Sequence, residues 1–108
     1  MLLKVTVADQ TFHVTVPEAV LEDADSFFSR IDRDLDRGWQ MSRSWVDCPD
    51  DLQRCQIVAD RLLTALEQDN RQLTGLLAAY ILKRCPGTAE VIVDVHGNIM
   101  DTELRAGP

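Results

Sequence analysis

From Leu3 to Val16 the apolar side chains fall on alternate positions: Leu3, Val5 and Val7, then Phe12, Val14 and Val16. Lys4, Thr6, Thr11, His13 and Thr15 lie between them. A period of two belongs to a strand, and one change of phase in mid-run is what a chain folding back on itself produces. With Asp9 and Gln10 in the turn, Val7 faces Phe12, Val5 faces Val14 and Leu3 faces Val16. A register that sorts every side chain this way predicts an antiparallel hairpin with one buried face.

The period then changes. Pro17 suits the first turn of a helix, and Glu18 and Glu22 favour its dipole. Val20, Ala24, Phe27, Phe28, Ile31, Leu35 and Trp39 recur at steps of three and four, which predicts an amphipathic helix of about twenty residues with Gly38 as its stop. Its apolar stripe and the hairpin's apolar face can cover each other. The segment Trp39 to Cys48 fits neither period and is expected to be a loop. Asp47 or Cys48 opens the next helix, with Pro49 and two acids in its first turn. Leu52, Cys55, Ala59, Leu62 and Leu66 continue a stripe that resumes at Leu73, Leu76 and Tyr80. Two readings stand. One is a single helix over residues 50–84; the other breaks at Gln68–Asp69–Asn70, where Asp69 or Asn70 caps a second helix beginning at Arg71.

Pro86 and Gly87 close the helical region. Ala89 to Val95 is strand-like, His96–Gly97–Asn98 turns the chain, and Ile99 to Leu104 can return. With Gly97 and Asn98 in the turn, Val91 faces Leu104 and Val95 faces Met100, but Asp94 faces Asp101, an unfavourable pairing of like charges. Residues 105–108 are expected to fray. The fold class is therefore α+β: N- and C-terminal antiparallel hairpins flank two or three helices packed on one face of a small sheet, in a single domain spanning 1–108.

Composition excludes several functions. The 108 residues are 45% hydrophobic and 27% charged, enough apolar matter for a core without metal or disulfide staples. The net charge is −7. Acids outnumber bases over 17–47 and again over 85–108, so no face gathers the cations that a phosphate backbone or an anionic membrane requires. Cys48, Cys55 and Cys85 cannot all pair within one chain, which suits a reducing compartment. The opening residues lack the basic and apolar regions of a secretory leader, and a cytoplasmic location is expected. The longest apolar run, Leu76 to Leu82, falls well short of the roughly 20 residues that span a bilayer.

No catalytic apparatus is recognisable: Gly-rich phosphate loops, HExxH, GxSxG and paired CxxC motifs are all missing. Three cysteines and two histidines match no common zinc spacing, and no cofactor is expected. A weaker alternative is convergence of Asp94, His96 and Asp101 at the second hairpin's tip. An imidazolium or a divalent cation there would relieve the Asp94–Asp101 repulsion, as in a small-molecule or metal-binding accessory protein. Asp25, Asp32, Asp34 and Asp36 interleave with Arg30, Arg33 and Arg37, a pattern expected to give local ion pairs on a solvated face. Trp39, Met41, Arg43 and Trp45 are of the types enriched at interface hot spots and are the candidate partner-binding residues. Leu76–Leu82 is apolar nearly all round, more than a lone chain of this length is expected to cover, and burial in a homodimer is the natural remedy. The expected function is a non-enzymatic, self-associating module that binds another protein.

The order over residues 3–66 (short hairpin, proline, amphipathic helix, long helix) resembles the layout of the ZapA family of cell-division proteins. No specific motif carries the likeness. The chain departs from it by ending in strand-forming residues rather than an extended coiled coil, so no property of that family is carried over.

Overall fold

The structure, a computed structural model, describes residues 1–107. Strands β1 (Leu2–Val7) and β2 (Gln10–Thr15) lead into helices α1 (Glu18–Asp23) and α2 (Asp25–Asp36). A second strand pair follows, β3 (Trp39–Met41) and β4 (Ser44–Val46), then helices α3 (Asp51–Glu67) and α4 (Arg71–Arg84). Strands β5 (Thr88–Val93) and β6 (Glu103–Ala106) end the chain, with a short 3₁₀ turn over Ile99–Asp101 between them. The main sheet has the order β2-β1-β5-β6, β1 and β5 being parallel, while β3 and β4 form a separate ribbon. The architecture is mixed α+β, and both terminal hairpins lie in the main sheet.

The first hairpin forms two residues out of the expected register. Leu3 faces Val14, Val5 faces Phe12 and Val7 faces Gln10, so the turn is Ala8–Asp9. A slip of two leaves every side chain on its original face, because the pleat repeats every two residues. Alternation therefore sorts the faces correctly without fixing the partners. Ala8 makes the tight turn at φ 54°, in the left-handed region where glycine is usual.

The first helix is bent. Ala24 leaves helical geometry at φ −95° and ψ 22°, yet its N–H still donates to the Val20 carbonyl and its own carbonyl accepts from Phe28. The bend lets α1 pack on α4 while α2 lays Phe28, Ile31 and Leu35 into the core. Gly38 ends this region at φ 97°, as expected, but Trp39 begins β3 rather than extending the helical stripe.

Between α3 and α4 the chain breaks at Gln68–Asp69–Asn70. Asp69 takes φ 53°; its N–H bonds the Leu66 carbonyl and that of Asn70 bonds Ala65, which closes α3 with the paired bonds of a Schellman motif. Asn70 then caps α4 by accepting from the Leu73 N–H. Helix α3 starts later than expected: Asp50 is its cap, accepting from the Gln53 N–H while the Gln53 side chain accepts from the Asp50 N–H.

Helix α4 overturns the premise of the overfull helix. Leu77, Ala78, Ala79, Tyr80 and Ile81 are wholly buried and Leu82 nearly so, all within one chain. The helix packs against α3, α1 and β2, and its paired alanines leave room for close approach. Only Leu76 stays half-exposed on this run, lining an apolar groove of about 400 Å³ with Val20, Ala24 and Phe27.

The C-terminal hairpin keeps the expected register at Val91–Leu104, with Glu90 facing Arg105 and Ile92 facing Glu103. Pairing stops there. Residues 94–102 form an open connection instead of a tight turn, which parts Asp94 from the position facing Asp101. Arg105 and Ala106, expected to fray, are held in β6; Pro108 lies outside the described residues.

Candidate functional site

The segment Trp39–Cys48, expected to be a loop, is instead a β-ribbon, and it carries the most unusual surface on the molecule. Trp39 pairs with Val46, Gln40 with Trp45 and Met41 with Ser44, around a two-residue turn in which Ser42 takes φ 62°. Alternation along the ribbon decides which candidate residues a partner can reach. Met41 faces in and is 1% exposed, so it belongs to the core and not to a contact surface. Trp39 is half-buried against that core. Arg43 at the tip is exposed, and Trp45 is 58% exposed, an extreme figure for an indole.

Trp45 is held rather than loose. Its Nε1–H donates to Asp47 Oδ1 at 2.8 Å, and its ring stands over Gly38, where a β-carbon would come within 2.5 Å of Cζ2. A large side chain fixed in the exposed position loses little rotamer freedom when something binds it.

The ribbon tip and the β5–β6 connection meet. Ser42 Oγ accepts from the Ile99 N–H at 2.9 Å, joining the two segments. Between them lies a cleft of about 390 Å³ lined by Ser42, Arg43, Ser44, His96 and Asn98, with Met100 at its edge. The two groups of candidate residues, far apart in sequence, thus share one face of the molecule.

Within the connection, however, Asp94 does structural work. Its Oδ2 accepts from the His96 and Asn98 N–H groups at 3.0 and 2.7 Å, and its own N–H donates to Thr102 Oγ1. Gln56 reaches up from α3 to donate to the Met100 and Thr102 carbonyls, both at 3.0 Å. These bonds fix an open loop and leave Asp94, His96 and Asp101 unassembled. Among the described residues no three His, Cys, Asp or Glu side chains are grouped to hold a metal ion. Asp94, His96 and Asp101, the weaker alternative as a cation site, are not brought together.

A second polar cluster escaped the sequence reading. Asp32, expected on a solvated face, sits where α2, α3 and α4 meet. Its Oδ1 accepts from the Tyr80 hydroxyl at 2.6 Å and from Arg54 at 3.2 Å, and its Oδ2 from Arg84. Arg54, 9% exposed, also donates to Asp36 Oδ1 at 2.6 Å and to the Pro49 carbonyl at 2.7 Å. The Arg84 guanidinium lies 5.4 Å from the Tyr80 ring centre. Burial raises the Asp32 pKa, but the bonds from Arg84, Tyr80 and Arg54 outweigh it and hold the carboxyl below its usual range. Burial also raises the Tyr80 hydroxyl, and its bond to Asp32 raises it further. Burial works against the Arg54 cation, while Asp36 and Asp32 hold it charged. Among the described residues no buried side-chain nitrogen or oxygen lacks a partner, and the bonds of this cluster tie three helices together. The only sequence signal was Arg54 interrupting the buried side of α3.

The cysteines separate by burial. Cys48 is exposed, whereas the Cys55 and Cys85 sulfurs lie 3.2 Å apart, with Cys55 fully buried and its thiol pushed strongly up in pKa by that burial. No helix among the described residues is long and apolar enough to cross a membrane.

No family model, no curated protein and no solved structure matches this chain, so the resemblance over residues 3–66 remains one of layout alone.

Proposed function

We propose that this chain is a non-enzymatic protein-interaction module, self-associating as a homodimer and holding a protein partner against the outer face of the β3–β4 ribbon. The observation that carries the partner reading is Trp45. An indole that a soluble chain could have turned inward is instead held outward by Gly38 and Asp47, beside the exposed Arg43. Trp and Arg are the residues that most often dominate interface energetics. Three cysteines, an odd number that cannot all pair within one chain, support a reducing, cytoplasmic setting.

Affinity capture from the native host tests this with the intact chain and a Trp45→Ala variant whose circular dichroism is unchanged. A protein retained by the first and lost by the second is expected, with Trp45 emission shifting to the blue when that protein is added back. Equal retention by both, or none by either, overturns the reading.

A second reading, a small-molecule-binding accessory protein, has one observation in its favour: the polar cleft beside the ribbon, where Arg43 and His96 could face an anionic ligand. It requires a thermal shift with small anions that Arg43→Ala removes.

A further inference from the structure

The two edges of the main sheet are built differently. Strand β6 has four residues, carries Glu103 and Arg105 in an ion pair at 3.1 Å, and meets β5 with a register irregularity between Thr88 and Glu90. Short length, charge and irregularity are the features that keep an edge from pairing with another chain. Strand β2, at the opposite edge, has none of them. Its six residues, Gln10, Thr11, Phe12, His13, Val14 and Thr15, include no lysine, no acid and no proline, and they pair with β1 without a bulge.

The register also shows which backbone groups are free. Met1 and Val16 exchange both N–H to C=O bonds at 2.6 Å, which places Val14, Phe12 and Gln10 in the bonded positions toward β1. Thr11, His13 and Thr15 therefore turn their N–H and C=O groups outward. Beside this edge, between β2 and α4, lies an open groove of about 510 Å³, bordered by Phe12, Leu66, Gly75, Asp69 and Arg71. A β-carbon on Gly75 would meet nothing within 4 Å, so that wall is open. One acid and one base make the rim neutral on a chain of net charge −7.

We infer that β2 is the self-association edge and that its occupant is the β2 strand of a second copy, joined antiparallel about a two-fold axis at His13. The strand is self-complementary about that centre. Thr11 falls opposite Thr15 of the second copy, His13 opposite His13, and Phe12 opposite Val14. Thr–Thr and aromatic–β-branched partners are favourable, and no fixed charge meets its like. The axis stands perpendicular to a continuous eight-stranded sheet, so both helical layers lie on one side and the two grooves open onto each other. This inference rests on the self-association reading above and gives it the surface that the well-covered α4 does not.

Sedimentation of the intact chain at high micromolar concentration is expected to give twice the chain mass. His13→Pro removes an outward N–H that the chain itself does not use, and His13→Lys sets two cations face to face; both are expected to sediment as monomers with the native circular dichroism. In the unaltered chain, hydrogen exchange at the Thr11, His13 and Thr15 amides should slow by roughly tenfold or more between dilute and concentrated samples. Concentration-independent exchange at these amides, or variants that stay dimeric, overturns the β2 assignment and leaves self-association standing. A strict monomer throughout overturns both.

Discussion

The Trp45 ring occupies the space that any side chain on Gly38 would need: a β-carbon there would stand 2.5 Å from Cζ2 and 2.8 Å from Cε2. Gly38 also sits at φ 97°, where an L-residue is strained. Gly38→Ala is therefore expected to act twice, by straining the turn and by dislodging the indole. A loss of about 1–2 kcal/mol in unfolding free energy is expected from the backbone alone. The diagnostic readout is acrylamide quenching of tryptophan emission, which should rise in the variant as the ring swings free of Gly38 and Asp47. Unchanged quenching would mean that the exposed pose does not depend on the glycine.

Asp32 holds Tyr80, Arg54 and Arg84 with two oxygens. Its own side chain is 25% exposed and those of Arg54 and Arg84 are 11% and 27% exposed, so solvent screens the cluster only in part. Asp32→Asn leaves two guanidinium groups facing a neutral amide and should cost about 2 kcal/mol, less than the roughly 3–5 kcal/mol of a fully buried pair because solvent reaches part of the cluster. Asp34→Asn, an exposed acid on the same helix, should stay within about 0.5 kcal/mol of the unaltered chain. Urea unfolding of the two variants separates these outcomes; equal midpoints would reduce Asp32 to an ordinary surface acid.

The same carboxyl predicts an acid limb. Its folded pKa lies below the ordinary value of 3.8, so its contribution is fully present above that value and is lost as pH falls through the depressed one. The stability gap between the unaltered chain and Asp32→Asn should be constant from neutral pH to about 5 and close at lower pH, where Asp32 is protonated and resembles the amide. Tyr80 acts at the other end. Its raised pKa means that its contribution is complete below the ordinary value of 10 and is lost as pH climbs through the higher folded one. A gap that did not narrow as the pH fell below 3.8 would exclude Asp32 as the source.

Period alone carried the fold class, the face of each terminal strand and the Val91–Leu104 register. What it could not place were turns made without glycine. Ala8, Ser42 and Asp69 are the described non-glycine residues with positive φ. Each sits where the sequence misled or stayed silent: the first hairpin's register, the ribbon taken for a loop, and the undecided helix break. Glycine turns at Gly38 and Gly87 were legible because glycine announces that conformation. Trp45 was visible by residue type but not by direction, since a three-residue strand shows too little alternation to tell in from out. The Asp32 cluster was hidden because Asp32 and Arg54 look like the surface charges around them until three helices are brought together.

Ala8 and Ser42 then make a paired prediction. Each takes a left-handed conformation that costs an L-residue roughly 1–2 kcal/mol, and glycine relieves this at an entropic cost of about 0.5–1 kcal/mol. Ala8 is exposed and its methyl group is not part of the core, so Ala8→Gly should stabilise the chain by about 0.5–1 kcal/mol. Ser42→Gly relieves the same strain but removes the hydroxyl that accepts from the Ile99 N–H, and an amide left without a partner costs about 1–3 kcal/mol. Its net effect should be neutral to destabilising, with faster exchange at the Ile99 amide as the ribbon and the β5–β6 connection part. If Ser42→Gly stabilised as much as Ala8→Gly, the Ser42–Ile99 bond would not be what holds the two halves of the candidate site together.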